Sequence, residues 1–163
     1  MGVRKPARTG PTVGTVQPLR KAPHGSGGRV LSHVPLFAGL SQRDLRRIAG
    51  LAEEVWFNSG RVVVEEGSPG NSFYVILDGT ARVVRGRGQR AIRRLGPGDH
   101  FGEMALLDGG PRSMTVIAES TLDAVRIQRS AFRRLLLQEP EVGLRIMAGL
   151  AARVREHERQ LLG

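Results

Sequence analysis

The residues best placed to do chemistry lie in one run of the chain, Phe101 to Val116. Gly102 permits a close approach of the backbone, and Glu103 opens a predicted helical turn whose unpaired amides suit an anion. The turn Gly109-Gly110-Pro111 brings the chain back and places Arg112 at the start of the next predicted strand. An arginine at that point can hold phosphate oxygens through two parallel hydrogen bonds.

The carboxylate of Glu103 has a different task, because it lies only nine residues before Arg112 and would repel a phosphate. A carboxylate accepts hydrogen bonds from hydroxyl groups. An anion site beside a hydroxyl acceptor therefore predicts a phosphorylated sugar as the ligand, and hence a nucleotide.

The elements that position this run are predominantly β-strands. Runs rich in β-formers recur about every 10 residues and are separated by Gly, Pro, Asn and Asp, which predicts an all-β roll or jelly roll of seven or eight strands. The predicted strands are Val55–Phe57, Arg61–Glu66, Ser72–Leu77, Thr80–Arg85, Ala91–Leu95, Val116–Ala118 and Leu122–Gln128.

Helical patterns flank the strands. Ser41 and Asp44 form a predicted capping box before apolar residues at helical spacing. A helix is predicted after Ser130 as its N-cap, and a second helix from Glu139-Pro140-Glu141 nearly to Leu162. The predicted fold is mainly β with flanking helices: an eight-stranded roll with an N-terminal helix, a short helix in the 101–116 run and two C-terminal helices.

The 101–116 run resembles the phosphate-binding cassette of cyclic nucleotide-binding domains, as found in regulatory subunits of the cAMP-dependent kinase, cyclic nucleotide-gated channels and the bacterial catabolite activator protein. Over about residues 34–158 the resemblance also includes Val34-Pro35-Leu36-Phe37, Phe73-Tyr74-Val75-Ile76 with Asp78-Gly79, and Leu95-Gly96-Pro97-Gly98-Asp99. It implies the roll fold and a cyclic nucleotide as ligand.

Carried across residue by residue, the resemblance implies that Glu103 accepts from the ribose 2′-hydroxyl and that Arg112 pairs with the cyclic phosphate. The amides of Met104 and Ala105 would cap the phosphate, and Ser113 would add its amide or hydroxyl. The alternative is that Glu103 and Arg112 form only a structural ion pair, as in vestigial domains. The full set of expected ligand-binding residues is Phe101, Gly102, Glu103, Met104, Ala105, Arg112 and Ser113.

The function implied is that of a stand-alone receptor for a cyclic purine nucleotide, with cAMP as the first candidate ligand and cGMP as the second. Ligand binding would shift the C-terminal helices, and an unknown protein effector would read the shift. The alternatives are a regulator of the catabolite activator type that lacks a helix-turn-helix, and a vestigial interaction module. No catalytic motif is present, so no enzyme activity is expected.

The predicted C-terminal helix carries an apolar stripe at the spacing of a short coiled coil: Met147, Leu150, Val154, His157 and Leu161. We expect weak homodimerisation through residues 141–162, while packing of the stripe on its own roll is the alternative. The resemblance separately implies that this helix covers the base, with Met147, Leu150 and Arg153 as lid residues.

The charge is concentrated in the N-terminal part of the chain. Of the formal net charge of +10, residues 1–43 supply seven basic residues and no acid. Residues 1–30 are rich in Gly, Pro and basic residues and are predicted to be disordered, so the domain is expected over residues 31–163. The tail is either a solubilising segment or a basic arm that binds nucleic acid at most non-specifically.

Other features exclude several function classes. The chain has no cysteine, and its four histidines, His24, His33, His100 and His157, are scattered, so no metal site or cofactor is expected. His100 adjoins the cassette, where it is either a surface or packing residue or a sensor of pH. No stretch is apolar enough for a membrane span, which predicts a cytoplasmic protein without a membrane partner. A cluster of arginines is either an anion-binding surface or a solvated face: Arg82, Arg85, Arg87, Arg90, Arg93 and Arg94.

Overall fold

A computed structural model describes residues 17–21, 26–87 and 90–163. The strands of this part of the chain are β1 (Gln17–Lys21), β2 (Glu53–Phe57), β3 (Val62–Val64), β4 (Ser72–Asp78), β5 (Ala81–Val84), β6 (Arg93–Leu95), β7 (His100–Phe101), β8 (Thr115–Ala118) and β9 (Leu122–Gln128). The helices are α1 (Ser26–Ser32), α2 (Gln42–Ala49), α3 (Glu103–Asp108), α4 (Arg129–Gln138) and α5 (Pro140–Leu162), with a 3-10 turn at Pro35–Phe37.

The strands form two antiparallel sheets. One has the order β1-β2-β9-β4-β7 and the other the order β3-β8-β5-β6. Strands β2 to β9 form the eight-stranded roll, and this confirms the predicted fold class, including the short helix between β7 and β8 and the two helices that follow β9.

The central strands separate two apolar cores because successive side chains of a strand point to opposite faces. In β4, Tyr74 and Ile76 face the interior of the roll, while Phe73 and Val75 face the helices. Strand β9 alternates in the same way. A strand that is covered on both faces is nearly continuous in apolar residues, as the sequence of β4 is.

The helical core is organised around three phenylalanines. The rings of Phe73 and Phe132 each lie 6.1 Å from the ring of Phe37, so strand β4, helix α4 and the 3-10 turn meet there. Leu106 of α3 and Ile146 of α5 are buried in the same cluster. The short helix within the cassette is therefore packed against the helices as well as against the roll.

Three local predictions differ from the structure. The N-cap of α4 is Gln128, without a side-chain cap, so Ser130 lies inside the helix instead of capping it. Strand β7 was not predicted. The segment predicted to be disordered contains β1, which pairs with β2, and most of α1; the remainder of that prediction, at residues 1–16 and 22–25, lies outside the described residues, as does His24.

A buried carboxylate joins the N-terminal helices to α5. Asp44 is 1% exposed and forms the predicted capping box with Ser41. Arg145 of α5 donates to both of its carboxylate oxygens, at 2.7 and 3.1 Å. These hydrogen bonds hold the pKa of Asp44 below its ordinary value, and the bond from Arg145 makes the largest contribution. Burial of the carboxylate opposes them. The ion pair fixes the first half of α5 against α2.

This pair makes stability depend on pH. A carboxylate whose pKa is lowered by folding stabilises the protein above the pKa of the unfolded state, about 4, and the contribution is lost as the pH falls through the lowered value. We expect Asp44→Asn to reduce the free energy of unfolding at pH 7 and to flatten its decrease between pH 5 and pH 2, measured by urea denaturation. Glu158→Gln, at an exposed carboxylate of α5, controls for the loss of one charge; parallel profiles of wild type and Asp44→Asn would contradict the prediction.

Candidate functional site

A cavity of about 450 Å³ opens from the interior of the roll. Its apolar wall comes from the four-stranded sheet and includes Val64, Val83, Leu95 and Val116. The opposite side is formed by the cassette and the end of β7. An apolar chamber of this size with few polar groups is typical of a small-molecule site.

The polar residue that dominates the cavity is Arg112. Its amide donates to Ser68 and its carbonyl accepts from Gly67, both at 2.8 Å, so its backbone is fixed on both sides. One guanidinium nitrogen, Nη2, donates to the carbonyl of Ser72 at 2.5 Å. The other, Nη1, is buried and has no hydrogen-bond partner among the described residues.

Arg112 thus carries a positive charge that no carboxylate of the described segments pairs with. None of the ion pairs that the described residues form includes this side chain. Burial lowers the pKa of Arg112, while the nearby Tyr74 acts in the opposite direction. A buried cation with an unpartnered donor is unfavourable by itself, so the site favours an anion that brings both the charge and the acceptor.

Gly102 makes room for that guanidinium. Its φ of +83° is in the left-handed region, which other residues rarely adopt. A Cβ at this position would also collide with Nη1 of Arg112 and would lie 3.0 Å from the carbonyl oxygen of Ser72. Both the turn and the close approach therefore require glycine.

Glu103, the first residue of α3, does not pair with Arg112. Its Oε2 lies 2.9 Å from Nε2 of His100, and this contact lowers the pKa of Glu103, with a smaller contribution from the charge of Arg153. The alternative of a structural ion pair between Glu103 and Arg112 is wrong for this structure. The carboxylate stays ionised and available as an acceptor.

The other predicted cassette residues separate into two groups. Phe101 and Ser113 line the cavity together with Gly102 and Arg112, and the ring of Phe101 stacks on Tyr74 at 5.0 Å. Met104 points away from the cavity and is 56% exposed. Ala105 is buried, and its amide donates to the carbonyl of Gly102 at 3.2 Å.

The expected lid residues are not at the cavity. Leu150 and Arg153 line a separate groove of about 860 Å³ between α3 and α5, where they meet Met104. Met147 is exposed and does not line this groove. Within the described part of the chain, α5 contributes no lining residue to the 450 Å³ cavity.

The apolar stripe on α5 is largely uncovered. Met147, Val154 and Leu161 are 57% exposed or more, and His157 is also exposed. Only Leu150 of the five packs against the core. The alternative that the stripe packs on its own roll is therefore wrong for the other four residues.

Two polar residues line the cavity although they were not in the predicted set of ligand-binding residues. The sequence offered His100 only as a packing residue or a pH sensor beside the cassette, and Arg93 only as one member of an arginine cluster. Arg93 reaches the cavity because of its place in the sheet. It pairs with Val83 on the neighbouring strand, and both residues line the cavity. The signal for His100 was its position three residues before Glu103.

The described residues contain neither a metal-binding cluster nor a membrane-spanning helix. No group of three or more His, Cys, Asp or Glu side chains in them is arranged to hold a metal ion. No helix among them is both long and apolar enough to cross a membrane.

Comparison with known proteins points to one family. A family model described as "Cyclic nucleotide-binding domain" matches residues 54–139, which is more than half of the chain. A curated relative, the cAMP-dependent protein kinase regulatory subunit of Colletotrichum orbiculare, is 35% identical over 106 residues, which cover 65% of this chain. The match spans 27% of that relative's length.

Solved structures give the same result. The N-terminal domain of a transcriptional regulator from Streptomyces coelicolor A3(2) superposes with a TM-score of 0.71 at 27% identity, over 78% of this chain and 94% of that one. A cyclic nucleotide-binding-like protein from Brucella abortus superposes with a TM-score of 0.63 at 35% identity, over 68% and 97% of the two chains.

The contact between Gly102 and Arg112 can be tested through stability. Gly102→Ala should reduce the free energy of unfolding for two reasons. Alanine is strained at a positive φ, and the collision of its Cβ with Arg112 should cost about 1–3 kcal/mol in addition. Gly98→Ala is the matched control, since its φ is +87° and a Cβ there would meet nothing within 4 Å. Urea denaturation of the two variants checks this, and equal losses would contradict the packing described.

Proposed function

Because the chain belongs to the cyclic nucleotide-binding domain family, we propose that it is a cytoplasmic receptor for a cyclic purine nucleotide, with a binding role and no catalytic one. The observation that carries the proposal is the buried Nη1 of Arg112, a donor at the wall of the cavity for which the residues that the structure describes offer no partner. A cyclic phosphate supplies one negative charge and the acceptor oxygens that this group lacks.

The rest of the ligand follows from the position of the phosphate. The ribose would lie over Gly102, where no side chain obstructs it, with its 2′-hydroxyl donating to Glu103. The base would occupy the apolar part of the cavity between Val64 and Leu95. We take cAMP as the first candidate, supported by the similarity to a subunit whose name specifies that nucleotide, and cGMP as the second.

The signal would pass through α3. Its Met104 meets Leu150 and Arg153 of α5 across the 860 Å³ groove, and its Leu106 is buried among the helices. A ligand that draws the cassette towards Arg112 would therefore change the groove. The first half of α5 is fixed by Asp44 and Arg145, so the second half, which is exposed from residue 151 onward, is the part free to move.

A second candidate is the ligand-binding unit of a transcription regulator. It is favoured by the superposition on the N-terminal domain of the Streptomyces regulator, of which this fold covers nearly the whole length. The two candidates share the ligand and differ in what reads the signal. Nucleotide-dependent DNA binding by the full chain would favour the regulator, whereas salt-sensitive binding that ignores the nucleotide would reflect only the basic tail.

We expect Arg112→Ala to weaken cAMP binding by roughly 30- to 5,000-fold, because removing one member of a desolvated charge pair costs about 2–5 kcal/mol. Arg112→Lys should recover only part of the loss, since a point charge cannot replace the planar fork. Isothermal titration calorimetry measures both. Arg94→Ala removes an arginine that is 70% exposed and pairs with Glu119 outside the cavity, and it should bind as wild type does; unchanged affinity in folded Arg112→Ala would end the proposal.

Movement of α5 is the readout of signalling. We expect cAMP to slow amide hydrogen exchange over residues 141–162 while α2 exchanges as before.

The uncovered stripe on α5 should also support weak self-association. Sedimentation with and without cAMP would detect it, and Val154→Glu should abolish it. Identical exchange in both states would contradict the signalling step, and a monomer at all concentrations would contradict the association.

A further inference from the structure

His100 is a polar residue of the cavity to which the proposed function assigns no task. It belongs to β7, where its backbone pairs with Val75, and its ring centroid lies 6.0 Å from that of Phe73. These contacts fix where the imidazole can lie. Nε2 is directed at Oε2 of Glu103 at 2.9 Å, and both side chains are more than three-quarters buried.

The contact occupies one oxygen of the carboxylate and leaves the other for the ligand. His100 engages Oε2, so a ribose hydroxyl would be accepted by Oε1. A glutamate side chain has three rotatable bonds, and a partner at one oxygen removes most of that freedom before the ligand arrives. Binding then has less ordering entropy to overcome.

We propose that His100 is a positioning residue that holds Glu103 for the ligand's hydroxyl, and that its protonation tightens nucleotide binding, so that affinity rises as the pH falls. This inference rests on the proposed function and adds to it a dependence of the same site on pH.

The expected rise of nucleotide affinity at low pH follows from the charges around the imidazole. Glu103 is the facing carboxylate, the charge of Arg153 of α5 also lowers the pKa of Glu103, and Arg112 and Arg93 line the same cavity. A cyclic phosphate brings a negative charge into this space, next to the negative charge of Glu103. A protonated His100 offsets their repulsion, whereas a neutral imidazole donates its hydrogen bond but adds no charge.

Because ligand binding and protonation of His100 influence each other, the effect can be measured as a change of the Kd with pH. Histidine side chains change charge between pH 5 and 8, and a ligand that favours the protonated form must bind more tightly where that form dominates. The pKa of Glu103 is lowered by its hydrogen bond to His100, so this carboxylate stays ionised over the same range. The cyclic phosphate, a strong diester acid, also stays charged there.

The experiment measures the Kd for cAMP at pH 6 and pH 8 in wild type, His100→Gln and His100→Phe. Wild type should bind about 3- to 10-fold more tightly at pH 6, as one charge-assisted contact predicts. His100→Gln keeps a neutral donor, so it should bind within about twofold of wild type at pH 8 and show a flat profile. His100→Phe keeps an aromatic ring without a donor and should lose about 3- to 10-fold already at pH 8, again with a flat profile.

A double variant tests whether His100 acts through Glu103. In a Glu103→Gln background, His100→Phe should cause little further loss, because coupled residues are not additive. In wild type, 2′-deoxy-cAMP should bind more weakly but keep the pH dependence, because its phosphate carries the same charge. A structural role alone would leave the wild-type slope in His100→Gln, and that result would overturn the inference.

Failure of this inference and failure of the proposed function give different results. Tight binding that does not vary with pH, or a pH slope that persists in His100→Gln, overturns the role of His100 and leaves the receptor function intact. If folded wild type binds neither cAMP nor cGMP at pH 6 or pH 8, the proposed function and this inference are both overturned.

Discussion

The buried guanidinium of Arg112 is the constraint on which the site depends. A cation removed from water is tolerated only where its donors find acceptors, and here the described part of the chain supplies a partner for Nη2 but not for Nη1. Several features serve this arrangement: the backbone bonds that hold Arg112, the carbonyl of Ser72, and the missing side chain at Gly102. The protein therefore holds an incomplete hydrogen-bonding arrangement that a phosphate would complete.

The positions of most strands along the chain could be predicted from the sequence because strands and turns alternate clearly. Strand β4 is an example: its apolar residues are nearly continuous because each face covers a different core. Strand β7 could not be found in this way, since two residues have no period. Strand β1 adds to the sheet through main-chain pairing with β2, which composition does not report.

The sequence predicted several residues that line the cavity, but it did not predict the contact between Glu103 and His100. Residue types alone predicted an anion site beside a hydroxyl acceptor, and the resemblance of the 101–116 run to a known family implied the cassette, with Gly102, Glu103 and Arg112 in it. The partner of Glu103 was not predicted, since a separation of three residues brings side chains together inside a helix and not between a strand and a helix. The left-handed turn at Gly102 creates that contact with His100, and its geometry exists only in the folded chain.

Helix α3 connects the cavity to the helices although it is only six residues long. Its first residue, Glu103, reaches His100; Met104 faces the groove beside α5; and Leu106 is buried with Phe132 and Ile146. Such a short helix has little stability of its own, so its position depends on packing such as that of Leu106 and on the contact of Glu103 with His100. In the mechanism proposed above, a ligand that moves Glu103 would shift Met104 at the groove beside α5. Because Asp44 and Arg145 hold the first half of α5, the exposed second half is where that shift would be expressed.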